Sequence, residues 1–207
     1  MTEYLKSYNT HIRDSNIQFF ERGHKYKILS DPNSHYTSVT TLIHKLFPQF
    51  DADNVIRKIK RGKNWNESNK YWGKSDKEIK DEWSSNGKAS AKLGTLLHEK
   101  IEHFMNTKTE RECIQINILE DKKYIGQTSQ EWEMFEYFVM DHPTLKPFRT
   151  EWLIYDEELK LAGSIDMVYK NEDGSVSIYD WKRCKEIKYD TEWNDMGSNQ
   201  CVKHIPN

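Results

Sequence analysis

The stretch Leu161-Ala-Gly163-Ser-Ile-Asp166-Met-Val-Tyr-Lys170-Asn-Glu-Asp-Gly174-Ser-Val-Ser-Ile-Tyr-Asp180-Trp-Lys182 decides the reading of this chain. Two runs rich in β-branched and aromatic residues, Leu161 to Tyr169 and Val176 to Trp181, flank the polar break Asn171-Glu172-Asp173-Gly174, the pattern of a β-hairpin. With Glu172-Asp173-Gly174 as the loop, and Gly174 in the left-handed conformation open to a residue without Cβ, Asn171 pairs with Ser175. Counting back along that ladder brings Asp166 opposite Asp180. Side chains alternate along a strand, so Asp180 and Lys182 share a face while Trp181 turns the other way, into packing. Two directly opposed carboxylates repel at neutral pH, and a divalent cation between them relieves the repulsion.

Carboxylate oxygens, completed by waters, phosphate oxygens and the Trp181 backbone carbonyl, suit Mg²⁺ or Mn²⁺ better than zinc. On the same face, Lys182 can orient or help deprotonate an attacking water, or neutralise charge on the reacting phosphorus. Such a set hydrolyses phosphodiesters. A single acid in a strand is more often a solvated position of a two-faced sheet. Here the same face also carries Val168, Val176 and Ile178, so the acids interrupt an apolar stripe.

Working outward, Trp152-Leu153-Ile154-Tyr155 supplies a third strand and makes an antiparallel meander. Upstream, Ile17 to Leu29 reads as a short hairpin around Arg22-Gly23-His24. Ser38 to Phe47 and Asp51 to Arg61 read as helices separated by Pro48, the first with an apolar face of Val39, Leu42, Ile43, Leu46 and Phe47 that should pack on a larger body. The capping box Ser75-Asp76-Lys77-Glu78 opens a helix that meets Asn86-Gly87. A second helix runs from Lys88 to Asn106 on the stripe Leu93, Leu97, Ile101 and Phe104. Residues 107–128 are polar and irregular, and Glu131 to Met140 is helical again. Helices followed by a meander indicate an α+β fold, with a central mixed sheet flanked by helices.

The chain of 207 residues is expected to form one domain over 1–207: an N-terminal hairpin and helical part (1–87), a core (88–190) and a C-terminal tail (191–207). An apolar fraction of 36% is low, but 13% aromatic residues give the core large side chains. Lys+Arg 31 against Asp+Glu 33 leaves a formal net charge of −2, so any nucleic-acid signal must be local. Two basic runs qualify. Arg57, Lys58, Lys60, Arg61 and Lys63 precede Trp65, Lys70, Tyr71 and Trp72; Lys182, Arg183, Lys185 and Lys188 lie beside the proposed site. A solvated helix face is the commoner cause of the first run. Cys113, Cys184 and Cys201 are too few and too scattered for a disulfide framework and point to a reducing compartment. Neither a signal peptide nor a run of roughly 18 apolar residues is visible, so the expectation is an intracellular protein with no membrane partner.

His98 and Glu102 stand four apart on one side of a helix, beside the Leu97 and Ile101 stripe. Alone, such a histidine is more often structural than a ligand. His98-Glu99-Lys100-Ile101-Glu102-His103 also invites a zinc-protease reading, but position five of that motif is Glu102. His103 lies about 140° round the helix from His98 and cannot join it on one metal.

Taken in order, Gly94-Thr95-x-x-His98-x-x-x-Glu102, then Glu151, then Gly163-x-x-Asp166, then Asp180-Trp181-Lys182 resemble the RecB-like branch of the PD-(D/E)XK nucleases. That branch includes the mitochondrial genome maintenance exonuclease and CRISPR-associated RecB-type nucleases. The resemblance covers roughly residues 88–188 and implies a restriction-endonuclease-like core. It implies that His98, Asp166 and Asp180 bind the metal, that Lys182 is the catalytic lysine, and that Glu102 and Glu151 sit near the site. It further implies a deoxyribonuclease acting on DNA ends or single strands, in replication, repair or recombination, alone or beside a helicase. The Lys-, Asn- and Ile-rich composition and the segment Tyr36 to Phe50 are similar to nucleases of large DNA viruses. Two features depart from the branch. Its Gln-x-x-x-Tyr helix is not found after Lys182, where Gln200 is followed by Lys203-His204, which suggests a truncated or DNA-binding-only version. Three scattered cysteines also cannot supply the four ligands of an iron–sulfur cluster.

Overall fold

In the computed structural model residues 4–107 and 129–184 are described. The elements are α1 (Tyr4–Tyr8), β1 (Ile17–Phe20), β2 (Lys25–Ile28), β3 (Thr37–Ser38), α2 (Val39–Leu46), α3 (Ala52–Arg61), α4 (Asp76–Thr107), α5 (Gln130–Asp141), β4 (Lys146–Asp156), β5 (Leu161–Lys170) and β6 (Val176–Tyr179). The described residues divide into two compact units, 4–42 with 95–107 and 129–184, and 43–94. No helix among the described residues is long and apolar enough to cross a membrane.

The β5–β6 hairpin closes as its loop dictates. Gly174 takes φ of +85°, and the Asn171 N–H donates to the Ser175 carbonyl at 2.8 Å. The Asp173 carboxylate accepts from the Ser175 N–H (2.9 Å) and hydroxyl (2.6 Å), a local side-chain turn that fixes the loop. The ladder runs from Lys170↔Val176 to Met167↔Tyr179, the register expected from the sequence, and stops one pair short of Asp166 and Asp180.

On its other edge β5 pairs antiparallel with β4 from Leu161 to Lys170. The sequence predicts only Trp152 to Tyr155 there. β4 in fact begins at Lys146; Pro147 is accommodated near the strand start, where the register shifts between Pro147 and Arg149. The edge of β5 opposite β4 is shared. β3 joins it in parallel at Leu161 and Ala162, and β6 joins it from Met167 onward. The result is a mixed sheet with an antiparallel meander, packed with helices.

In the first unit, Met167 and Tyr169 of β5 are buried against Leu5, Ile101, Met105, Trp132 and Phe135, with Tyr179 and Trp181 partly covered. Asn106 ties this core together: it accepts from the Leu5 N–H at 3.0 Å and donates to the Glu102 carbonyl and the Thr150 hydroxyl. A second cluster joins the β1–β2 hairpin to the sheet through Ile17, Ile28, Tyr36, Tyr155 and Ala162. The stripe expected around the acids is buried only at Val168; Val176 and Ile178 of the edge strand are 52% and 66% exposed.

In the second unit, Asp51 caps α3 by accepting from the Asn54 N–H at 3.0 Å, and Ile56 and Ile79 are fully buried. Phe50 and Tyr71 pack edge-on to Trp83, whose indole N–H donates to the Tyr71 hydroxyl at 2.8 Å.

Two helical expectations differ from what is observed. Asn86-Gly87 does not end a helix, and α4 is continuous from Asp76 to Thr107. A helical glycine costs about 1 kcal/mol, which the unbroken hydrogen-bond ladder outweighs. The capping box does form, with the Ser75 N–H donating to Glu78 at 2.7 Å and the Glu78 N–H to the Ser75 hydroxyl at 3.2 Å. The apolar face of α2, from Val39 to Phe47, is exposed instead of packed. Residues 108–128, expected to be irregular, lie outside the described residues.

Because a Cβ on Gly174 would meet nothing within 4 Å, Gly174→Ala tests backbone conformation alone. It should destabilise the protein by about 1 kcal/mol in urea unfolding. An unchanged midpoint would mean that the hairpin tolerates another turn.

Candidate metal centre

His98 sits where α4 faces the sheet. Its Nε2 lies 2.8 Å from the Trp181 carbonyl, so that nitrogen carries the proton, since a carbonyl only accepts. Nδ1, with its lone pair in the neutral ring, lies 3.7 Å from Glu151 Oε1 and 3.7 Å from Asp166 Oδ2. A metal-binding histidine is held in this way, one nitrogen fixed by a backbone carbonyl and the other directed to the ion.

Glu151 of β4 lies across from Asp166 of β5, between the pairs Thr150↔Met167 and Trp152↔Ile165. It does not join the ladder. Its φ of +42° is the left-handed conformation, unusual for glutamate inside a strand and costing about 1–3 kcal/mol. The twist brings its carboxylate to His98, and the Ser164 hydroxyl donates to Oε2 at 3.0 Å. Asp166 accepts the Trp181 N–H at 2.8 Å. Burial holds its carboxyl above the usual carboxylate range, and the charges of Asp180 and Glu151 add to this, while the Trp181 N–H and His98 oppose it.

One nitrogen and two carboxylate oxygens, from His98, Glu151 and Asp166, thus lie within 4.8 Å of one another. This donor set can hold a divalent cation that prefers oxygen and tolerates imidazole. Of the residues singled out in the sequence, His98 and Asp166 converge here together with Glu151. Asp180 and Lys182 instead form an ion pair at 2.5 Å, with side chains 57% and 74% exposed. They leave the sheet on either side of Trp181, whose indole packs edge-on to Phe135 and Phe138. The Trp181 carbonyl orients His98. Glu102, half-buried, lines a pocket with Glu151 and stands outside the donor trio.

The basic residues fall in two places. Arg57, Lys58 and Arg61 are exposed on α3 in the second unit. Lys60 pairs with Asp76 at 2.5 Å, donates to the Lys74 carbonyl and lies over Trp65. Lys70 and Lys74 grip Glu82 at 2.7 and 2.6 Å, which pushes the Glu82 carboxyl down to about 2, Lys70 contributing most. Lys60 and Lys70 of the first basic run are therefore engaged within their own unit. In the first unit, Arg183 pairs with Glu131 at 2.7 Å. Lys185, Lys188 and Gln200 lie outside the described residues.

No periodicity or spacing singles out Glu151. Its place follows from the β4–β5 register, which no local pattern shows, and only the resemblance brought it near the site.

At position 151, glycine relieves the left-handed strain and alanine keeps it, so Glu151→Gly should be more stable than Glu151→Ala by about 1 kcal/mol in chemical unfolding. Equal stabilities would remove the strain from the description. A second outcome follows from protonation. The His98 pKa stands above its ordinary value, raised first by Glu151 and then by Asp166, against burial. The folded, cation-free protein therefore favours the imidazolium, a contribution complete below the ordinary value and lost as pH rises through the elevated one. The raised Asp166 pKa has the same sign, with its stabilising contribution complete below the ordinary carboxyl value. A cation needs both groups deprotonated, so the thermal stabilisation given by Mn²⁺ over EDTA should grow between about pH 5 and 8. A gain independent of pH would exclude His98 as a ligand. Comparisons of the chain with family models, with curated proteins and with solved structures find no match.

Proposed function

We propose that this chain is a metal-dependent deoxyribonuclease of the PD-(D/E)XK class, RecB-like in its motifs, with a restriction-endonuclease-like core built on β4, β5 and β6. One observation carries the reading. Residues far apart in sequence, His98, Glu151 and Asp166, bring their ligand atoms within 4.8 Å of one another, with His98 and Asp166 bonded to the backbone of Trp181, the residue before Lys182. A bound Mg²⁺ or Mn²⁺ would supply Lewis acidity at the phosphate and lower the pKa of water.

The chain's own residues do the rest. His98, Glu151 and Asp166 would hold the ion. The Trp181 carbonyl keeps the proton on His98 Nε2 and so frees Nδ1, and the Trp181 N–H aims Asp166. Lys182, with its ammonium in solvent, can leave Asp180 for a phosphate oxygen, neutralise charge there and orient the attacking water. Asp180, on the same face, then becomes available as a further oxygen ligand. Exposed Arg57, Lys58 and Arg61 in the second unit, and separately Arg183 in the first, are candidates for phosphate contacts. DNA ends or single strands inside the cell, met during replication or repair, are the substrates this reading names.

A second reading has its own support: Asp180 and Lys182 face each other at 2.5 Å and not the donor trio. It makes the chain a nuclease-fold protein that binds nucleic acid, or a partner such as a helicase, without cutting.

The two readings separate in an assay of end-labelled single- and double-stranded DNA with Mg²⁺ or Mn²⁺. The enzyme reading expects metal-dependent cleavage that Asp166→Asn, Asp180→Ala and Lys182→Ala each reduce on the order of 100-fold or more. DNA bound but left intact by the pure protein would favour the second.

A further inference from the structure

Beside the acids, the first unit encloses a pocket of about 390 Å³. That volume falls in the range of small-ligand sites, about 300–1,000 Å³. Glu151, one member of the donor trio, lines it together with Ser164; Phe19 and His24 of the β1–β2 hairpin and Trp152 of β4 bring aromatic walls.

These rings are held from behind. Phe19 packs against Tyr26 and His24, with centroids 4.9 and 5.0 Å away. The Trp152 indole N–H donates to Asp14 at 3.0 Å, and the Arg149 guanidinium lies over its ring at 4.7 Å. Rigid aromatic faces in a pocket suit a flat, conjugated ligand. The charges argue against an anion: Arg149, 3% exposed, is already neutralised by Asp14 at 2.7 Å, and the carboxylates of Glu102 and Glu151 outnumber the other cation of the lining, Lys6. Carboxylates in this place accept hydrogen bonds from ring and amino N–H groups. A nucleobase combines two π faces with such an edge, whereas a phosphate would be repelled.

We propose that this pocket receives one unpaired nucleobase of a DNA strand whose neighbouring phosphate lies at the His98, Glu151 and Asp166 site. The inference rests on the nuclease reading and narrows it. A base inside the pocket is stacked on Phe19 and Trp152 and cannot remain in a duplex, so the strand enters single-stranded or frayed at that nucleotide.

The test is equilibrium binding of fluorescently labelled single-stranded oligonucleotides of about ten nucleotides, in EDTA so that no cleavage intervenes. An intact oligonucleotide is compared with a set carrying one abasic residue at each position in turn. With the native chain, an abasic residue at one position should weaken binding on the order of 10-fold, the size of one base stacked on an aromatic ring. Phe19→Leu keeps an apolar side chain in β1 but loses the ring, and should bind the intact and abasic strands alike; circular dichroism checks that it folds. Phe20→Ala, on the exposed side of the same strand, should keep the discrimination. Binding that is indifferent to every abasic position overturns the pocket and leaves the nuclease reading standing. Failure to bind any oligonucleotide in EDTA likewise overturns the pocket, while the nuclease reading is decided by the cleavage assay with Mg²⁺ or Mn²⁺.

Discussion

The backbone of Trp181 is the joint on which the site depends. Its N–H takes Asp166 and its carbonyl takes His98, so one peptide segment ties the last part of α4 to the central strand. Neither bond belongs to a regular ladder. Each satisfies a backbone group that β6 would otherwise leave open at its end, and each also fixes the orientation of a candidate ligand. The Trp181 indole, packed among Phe135, Phe138 and Tyr179, keeps the segment in place. Lys182 inherits its position from that anchorage, with a long side chain free to reach into solvent.

Much of this was legible in the sequence where the signal is local. The glycine of a three-residue loop fixed the β5–β6 register, and the capping box at Ser75 and the stripe around Ile101 announced α4. What escaped depends on longer range. Asn86-Gly87 reads as a stop in isolation, yet an interior glycine costs a helix only about 1 kcal/mol. The apolar residues of α2 and β6 were expected to be covered, but an amphipathic pattern states which face prefers burial and not whether anything covers it. The inward turn of Glu151 and the pairing of Asp180 with Lys182 come from strand register and side-chain rotation, which no spacing rule contains.

Charge is arranged with equal economy. Lys60, Lys70, Lys74 and Arg183 each meet an acid, so opposite charges offset one another locally in a chain rich in both signs. Around the donor trio the balance changes. Acids from two strands, Glu151 and Asp166, gather near one imidazole, and the burial that lifts the Asp166 pKa records how unfavourable that gathering is for the protein alone. An arrangement of this kind gives up some fold stability for a site with a standing demand for positive charge.

The short β6 ladder has a consequence for how the molecule fails. Only four residue pairs hold β6 to β5, and two of its side chains face solvent. Opening that hairpin needs far less than global unfolding, and it would release Trp181, Asp166, His98 and Lys182 in one event. On heating, the site would then be lost while the cores around Met105 and Tyr155 stay folded. The working temperature of the protein would then be set by the β5–β6 hairpin and not by its largest core.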